Sequence, residues 1–269
     1  MTTTTPQPTG DRTAATPIDT PELPQYSRRT IATVWAAAAL PMGLLAWVVA
    51  PWLADRLDAP SQLPKALLLC LTAGLVWQFV LVATLVAREQ RTLRWSRVRQ
   101  ALWLRAPISP GTGRTSRRLW LVVIPLIAAF AAKELLPHID SPATRDLGAF
   151  LDSAAGHEFL NGAWGWFALI AVMFVCNTVL GEELLFRGLL LPRMNGAFGK
   201  RDWLANGLLF AAYHLHVPWA IPGTLLDPFI LGYPTKRYRS ALIGIAVHSA
   251  QSVVFLALAL ALVLGHGTS

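Results

Sequence analysis

The sequence predicts an all-α membrane protein, a bundle of about seven transmembrane helices with six to eight as the range. The chain has 269 residues, of which 54% are hydrophobic and only 14% charged, whereas about 25% of the residues in a soluble domain are charged. Its mean hydropathy is +0.46. Several apolar runs also reach the roughly 17 to 25 residues that a helix needs to cross a bilayer.

Seven apolar runs are the predicted spans. Three are uniform, at 30–54, 66–87 and 240–265, and four are less uniform, at 119–137, 163–180, 203–217 and 219–233. Polar residues and prolines interrupt the fifth and sixth runs: His214, His216, Pro222, Asp227 and Pro228. We interpret Asp227 as the cap of a helix that is broken at Pro228.

The remaining segments complete the domain organisation. Residues 1–29 are polar, rich in Thr and Pro, and lack the apolar core of a signal peptide, so they predict a disordered tail. Residues 30–163 are predicted to form the N-terminal transmembrane helices, and residues 164–265 a second helix bundle. Cys70 and Cys176 lie inside apolar runs and predict two buried thiols without a disulfide.

The charge pattern predicts the orientation in the membrane. The loop at residues 88–118, called the basic loop below, has one acidic residue, Glu89. Its nine arginines are Arg88, Arg91, Arg94, Arg97, Arg99, Arg105, Arg114, Arg117 and Arg118. The positive-inside rule places this loop in the cytoplasm, with the acidic residues 138–162 on the outer side. The sequence therefore predicts a multi-pass protein of the cell membrane with a cytoplasmic N-terminus and an outer C-terminus.

The basic loop also indicates which kind of partner the protein binds. Its arginines are interspersed with Trp95 and Trp103, a pattern that nucleic-acid binding could explain. A basic segment between two spans is better explained by contact with an anionic inner leaflet. The predicted partners are membrane lipids and a peptide or protein substrate, with no nucleic acid.

Ionisable side chains inside the apolar runs are the candidate functional residues, because each is costly to place in hydrocarbon and is usually paired or retained for function. They are Glu182, Glu183, Arg187, His214, His216, Asp227 and His248. On a helix Glu183 and Arg187 are four residues apart and can pair. Glu182 is turned about 100° away from Glu183. His216 is predicted to face away from His214, either as a purely structural residue or as one that supports the site from behind.

The candidate residues are predicted to share one level in the membrane. If the fourth helix continues to Arg193, Glu182 lies about 16 Å from that end. The same count puts His214 about 20 Å from Arg201, and His248 about 14 Å from Arg239. Three separate segments thus bring a carboxylate and two imidazoles together, nearer the cytoplasm.

Three motifs carry a family resemblance. The stretch "EELLFR", from Glu182 to Arg187, fits the pattern EExxxR, and "FAAYH", from Phe210 to His214, fits FxxxH. His248 begins the third motif. Their order and approximate spacing resemble the CAAX protease and bacteriocin-processing family, also called Abi or type II CAAX prenyl endopeptidases. The resemblance covers about residues 164 to 255.

The resemblance implies an intramembrane glutamic endopeptidase, with residues 164–265 as its catalytic bundle. Glu182 would activate water, and His214 and His248 would line the same cavity. Phe210 is one turn before His214 and is expected to pack against the site. Glu183 and Arg187 are expected to support the helix as an ion pair. The predicted substrate reaches the cavity from the cytoplasmic side and can be lipid-modified.

One position departs from the family pattern. The third motif usually reads HxxxN, in which the asparagine donates to the oxyanion, whereas "HSAQS" has Ser252 four residues after His248. Serine offers one shorter donor, and the neighbouring Gln251 points about 100° aside. We predict Ser252 as a catalytic residue, with Gln251 as its alternative.

Several alternatives stay open. A family member that has lost catalysis and serves as a membrane scaffold is the main rival, because of Ser252. A transporter fits less well, since no repeated halves are visible. The chain lacks HExxH, GxGD and GxSG, the motifs of other intramembrane proteases. No cofactor is predicted, with zinc held by Glu182, His214 and His248 as the alternative.

Overall fold

The computed structural model describes residues 23–57, 61–135 and 139–266. These residues fold almost entirely as helices and contain no strand, only one isolated bridge between Ile108 and Thr115. The helices are α1 (Arg28–Ala54), α2 (Gln62–Gln90), α3 (Trp95–Ala101), α4 (Val123–Ala132), α5 (Leu147–Leu151), α6 (Ala154–Leu160), α7 (Trp164–Arg193), α8 (Asn195–Phe198), α9 (Asp202–Tyr213), α10 (Ile221–Thr224), α11 (Tyr233–Tyr238) and α12 (Ala241–Val263). The predicted all-α class is confirmed.

Four of these helices are long and apolar enough to cross a membrane: α1, α2, α7 and α12. Their large apolar side chains cover much of the outer surface, and Leu40 on α1 and Val253 on α12 are 61% and 65% exposed. Such side chains suit contact with lipid and would be unfavourable in water. The protein is therefore a membrane protein.

The other three predicted spans form shorter or interrupted helices. The third is α4 with a 3₁₀ segment on each side, Arg117–Val122 and Lys133–Leu135. The fifth and sixth are divided between α9, α10, α11 and several 3₁₀ and π segments. The count of about seven spans therefore stays a prediction.

Helix α7 continues to Arg193, as the depth estimate requires. It is not a uniform α-helix, because Cys176–Gly181 and Leu184–Leu190 are π-helical. Such π segments widen the helix locally and occur often at functional sites. Glu182 and Glu183 lie between these two segments.

Close helix contacts fix α7 in the bundle. A Cβ at Gly181 would lie 2.6 Å from the Cys176 oxygen of the same helix, so the π-helical backbone directly before Glu182 requires a glycine. On the other side, a Cβ at Gly244 of α12 would meet the Glu183 carboxylate. Gly181 thus permits the π-helical backbone before the glutamate pair, and Gly244 permits the close approach of α12 to Glu183.

An ion pair joins the predicted cytoplasmic ends of α2 and α7. Arg193 is fully buried, and its guanidinium donates to both carboxylate oxygens of Glu89, at 2.8 and 2.6 Å. It also donates to the main-chain oxygens of Ala101 and Leu189. Glu89, the one acidic residue of the basic loop, thereby attaches that loop to the second bundle.

Some sequence predictions fall outside the described residues. Residues 1–22 of the predicted tail, residues 58–60 of the first outer loop and residues 136–138 at the end of the third span belong to this group. The predicted thiols are described, and both Cys70 and Cys176 are buried and free.

Candidate active site

A cavity of about 660 Å³ brings the three predicted catalytic groups together. Its wall includes Glu182 from α7, His214 from the end of α9 and His248 from α12. The first half of the chain also contributes, through α2 residues such as Leu68 and through Phe130 and Lys133 around the end of α4. The site is therefore built by both predicted helix groups.

Glu182 is buried, with 3% of its surface exposed. Asn177 lies one π-helical turn earlier, and with its amide nitrogen facing the carboxylate it donates to Oε1 at 2.8 Å and to Oε2 at 3.2 Å. The Tyr213 hydroxyl lies close to Glu182, and the Gln78 amide donates to that hydroxyl at 2.6 Å. These contacts hold the carboxylate in one orientation from three helices.

Glu183, the next residue of α7, contacts two other groups. Its Oε1 is 3.1 Å from the Arg187 Nη1 and 3.1 Å from the His248 Nδ1. The predicted pairing of Glu183 with Arg187 is confirmed, but Glu183 also orients His248, which the sequence did not indicate. Because a carboxylate only accepts, Nδ1 carries the hydrogen and Nε2 is the nitrogen available to a ligand.

His214 is oriented by the main chain. Its Nδ1 donates to the Phe210 oxygen at 2.8 Å, which again makes Nε2 the nitrogen available to a ligand. The Phe210 ring lies 4.7 Å from the His214 ring and 3.9 Å from the Arg187 guanidinium, so it packs against the site as predicted.

His216 does not face away from His214, contrary to our prediction. The two rings stack, with centroids 5.6 Å apart and planes 22° apart. The prediction assumed 100° per residue, whereas α9 ends at Tyr213 and His214–His216 form a 3₁₀ turn.

The two candidate oxyanion donors differ in position. Gln251 lines the cavity together with Glu182 and both histidines, while Ser252 is not among the lining residues and is 7% exposed. The geometry therefore favours Gln251, the alternative, as the side chain that can reach a substrate.

Asp227 has a different role from the one predicted. Its side chain makes no cap hydrogen bond to the segment Pro228–Gly232. It instead forms an ion pair with Lys133, whose ammonium also lies 3.8 Å from the Phe130 ring centroid. Both charged groups line the cavity, so the interpretation of Asp227 as only a helix cap was wrong.

Three polar residues of the site were missed in the sequence: Gln78, Asn177 and Lys133. A signal for each was present, because Gln78 and Asn177 are the only amide side chains in the runs at 66–87 and 163–180. Lys133 is a cation within the run at 119–137. Polar groups in predicted spans indicate a site in the same way as charged ones, since they too need partners in lipid.

The alternative of a zinc ion requires side chains that are placed to act as its ligands. Within residues 23–57, 61–135 and 139–266, no group of three or more His, Cys, Asp or Glu side chains is placed to hold a metal ion. The Nδ1 of each histidine is also engaged by Phe210 or Glu183.

The wall of the cavity extends toward one end of the bundle. It includes Arg145, Asp146 and Asp152 from the segment at 139–152, and Trp219 and Thr224 from the segment at 217–224. None of the described residues of the basic loop is part of it. If the basic loop is cytoplasmic, as predicted, the segment at 139–152 faces the outer side. The cavity wall then extends toward the outer side, whereas the sequence predicts access from the cytoplasm.

The fold and the site define a helical membrane protein with a buried carboxylate and two histidines around one cavity. Residues 164–254 match the family model described as type II CAAX prenyl endopeptidase Rce1-like. About a third of the chain is therefore similar to that protease family, and this match supports the recognition from the three motifs. Neither the comparison with curated proteins nor the comparison with solved structures gave a match.

Proposed function

We propose that the protein is an intramembrane endopeptidase that hydrolyses a peptide bond with water activated by Glu182. One observation carries the proposal. Glu182, His214 and His248 come from three separate helices of the Rce1-like domain and line one cavity large enough for a peptide segment.

The proposed reaction begins with proton transfer. Glu182 takes a proton from a water molecule, and the water oxygen attacks the carbonyl carbon of the substrate. A carboxylate has about four lone-pair sites, so the contacts from Asn177 and Tyr213 leave room for the water. The proton then passes to the leaving amine, and the C–N bond breaks.

The tetrahedral intermediate needs hydrogen-bond donors for its oxyanion. Gln251 lines the cavity together with His248, and its side-chain amide would be the donor. The Nε2 atoms of His214 and His248 are held by fixed Nδ1 contacts and complete the polar wall. Preorganised groups of this kind act without rearrangement during the reaction.

The rival function is a membrane scaffold that has lost catalysis. C-terminal peptides should be compared by proteomics in cells with the intact protein and in cells with Glu182→Ala. We expect peptides that end at new C-termini only with the intact protein. An unchanged peptide set, with both proteins present at equal levels in the membrane, would favour the scaffold. A transporter would likewise leave the peptides unchanged but alter solute uptake.

Substitution of the two donor candidates tests the oxyanion site. Gln251→Ala should lower kcat by about 10²- to 10³-fold, the usual effect of removing one oxyanion donor. Ser252→Ala, a matched truncation at the adjacent position, should change kcat less than about threefold because Ser252 does not line the cavity. If Ser252→Ala is the damaging change and Gln251→Ala is neutral, the sequence-based choice of Ser252 is correct.

Chelation tests the metal-free mechanism. Glu182 as a base needs no ion, so purified active protein should keep its activity after dialysis against a chelator. Zinc content should be substoichiometric by elemental analysis. Activity that is lost on dialysis and restored by zinc would instead assign Glu182, His214 and His248 as ligands.

The side of the membrane that the substrate comes from can be tested by topology. The sequence predicts hydrolysis near the cytoplasmic side, and Glu182 lies nearer the Arg193 end of α7 than the Trp164 end. The cavity wall at residues 139–152 lies in the segment predicted on the outer side. The compartment that this segment faces therefore decides from which side of the membrane the substrate enters the cavity.

Reporter fusions should assign both faces. A fusion after Arg105 should report the cytoplasm, and a fusion after Asp152 the outer side, because nine arginines hold the basic loop inside. A fusion at Gly265 should also report the outer side. A cytoplasmic signal at Gly265 alone would contradict the count of seven spans. A cytoplasmic signal at Asp152 would mean that the cavity is reached from the cytoplasm.

A further inference from the structure

A second cavity, of about 970 Å³, lies next to the basic loop and is called the basic groove here. Its wall comes from segments far apart in sequence: the basic loop, the turn before α9, and α11 with the residues that follow it. Its charged lining residues are five basic and one acidic side chain: Arg105, Lys200, Lys236, Arg237, Arg239 and Asp202.

The positive charge of the basic groove is not neutralised from within. Its one carboxylate, Asp202, already forms an ion pair with Lys236. Among the described residues, the other four cations of the wall have no carboxylate at ion-pair distance. They come from three segments, which face a common space.

Two of these cations are held together. The Nε of Arg105 donates to the main-chain oxygen of Arg239 at 3.0 Å. Burial, and then the nearby charge of Arg239, lower the pKa of the Arg105 guanidinium. The Arg105 guanidinium thus lies within the influence of the Arg239 charge with no carboxylate of the described residues at ion-pair distance from either, which favours the binding of an anion.

The backbone around these arginines is fixed in an unusual conformation. Trp103 and Arg239 have φ values of 50° and 48°, in the left-handed region that is unfavourable for a residue with a side chain. The conformation is held by the Ala241 N–H, which donates to the Trp103 oxygen at 3.0 Å. The Ser240 hydroxyl donates to the Arg105 oxygen at 2.6 Å. Strain retained in this way is often found at ligand sites.

We infer that the basic groove binds a phosphate group. The planar fork of an arginine matches phosphate oxygens, and several arginines can share one anion. The wall also contains Trp103, Trp203 and Tyr233, residue types that are enriched at membrane interfaces. The phosphodiester of an anionic membrane lipid fits this setting, and a soluble phosphate ester has the same chemistry. The inference is independent of the proposed peptidase activity.

Lipid titration of the purified full chain in an uncharged detergent tests the inference. Native mass spectrometry should show phosphatidylglycerol bound more tightly than phosphatidylcholine, which carries the same phosphate without net charge. Arg237→Gln with Arg239→Gln should weaken phosphatidylglycerol binding about tenfold or more, because charge-assisted hydrogen bonds are lost. Both side chains are exposed, so the fold should be retained.

A matched control separates the basic groove from general attraction to the basic loop. Arg94→Gln with Arg97→Gln removes the same charge at two exposed positions outside the groove and should change the affinity less than about twofold. Equal weakening in both double variants would overturn the inference, and so would equal binding of the two lipids. In the same titration, glycerol 3-phosphate that competes at concentrations similar to the lipid would identify a soluble phosphate source. Competition only at far higher concentration would identify the lipid headgroup.

Arg105 provides a further test inside the groove. Arg105→Gln should weaken phosphatidylglycerol binding, and Arg105→Lys, which keeps the charge but not the fork, should retain an intermediate affinity. Thermal unfolding should be measured for both, since the Arg105 contact to Arg239 is lost. Unchanged binding with Arg105→Gln in a folded protein would contradict the role of the paired arginines.

Discussion

Glu182→Gln should abolish peptide cleavage while leaving the protein folded. The amide keeps the shape of the carboxylate and can still meet Asn177 and Tyr213, but it cannot take a proton from water. Loss of a general base typically costs about 10² to 10⁴ in rate. Initial rates on a peptide identified by C-terminal proteomics, together with the thermal unfolding midpoint in detergent, would measure both parts of the prediction.

Glu158→Gln is the matched control for this change. Glu158 is an exposed residue of α6, so the same loss of charge there should leave both the rate and the unfolding midpoint near those of the parent protein. A Glu182→Gln protein that cleaves at the parental rate would reject Glu182 as the base. If Glu182→Gln fails to fold, Glu182→Asp would be tested in its place, because aspartate keeps the charge on a shorter side chain.

Much of the site could be predicted because its groups are costly in lipid. A carboxylate or an imidazole inside an apolar run is conspicuous in the sequence, and the helical rise predicts its depth. Glu182, His214 and His248 were found in this way, and their helices bring them to one cavity. The family motifs then assigned these residues to one site, although they lie on different helices.

The rest depended on contacts between helices that the sequence does not encode locally. The Gln78 to Tyr213 contact joins residues 135 positions apart, and the Lys133 to Asp227 pair joins residues 94 positions apart. The stacking of His214 and His216 could not be predicted without knowing that α9 ends at Tyr213. The breaks in the fifth and sixth apolar runs were visible as prolines and charges, but their geometry was not.

Glu183 differs from Glu182 in what its loss should do. Its carboxylate faces both Arg187 and His248, and Glu183 and Arg187 have side-chain exposures of 0% and 0%. Removal of one partner from a buried ion pair typically costs about 3 to 5 kcal/mol, because the other charge stays buried alone. Glu183→Gln should therefore lower the thermal midpoint and the yield of folded protein. Asp202→Asn, which breaks the pair with the partly exposed Lys236, should cost less, because the Lys236 ammonium can still be hydrated.

A double variant separates the two roles of Glu183. Glu183→Gln with Arg187→Met removes both charges and should recover most of the lost stability, since an apolar pair can replace a buried ion pair. His248 still lacks its carboxylate in that protein, so cleavage per folded molecule should stay at least about tenfold below the parent. Full recovery of both stability and cleavage would show that Glu183 only neutralises Arg187. A Glu183→Gln protein that is as stable as the parent, yet as inactive as Glu182→Gln, would show instead that both glutamates act directly in catalysis.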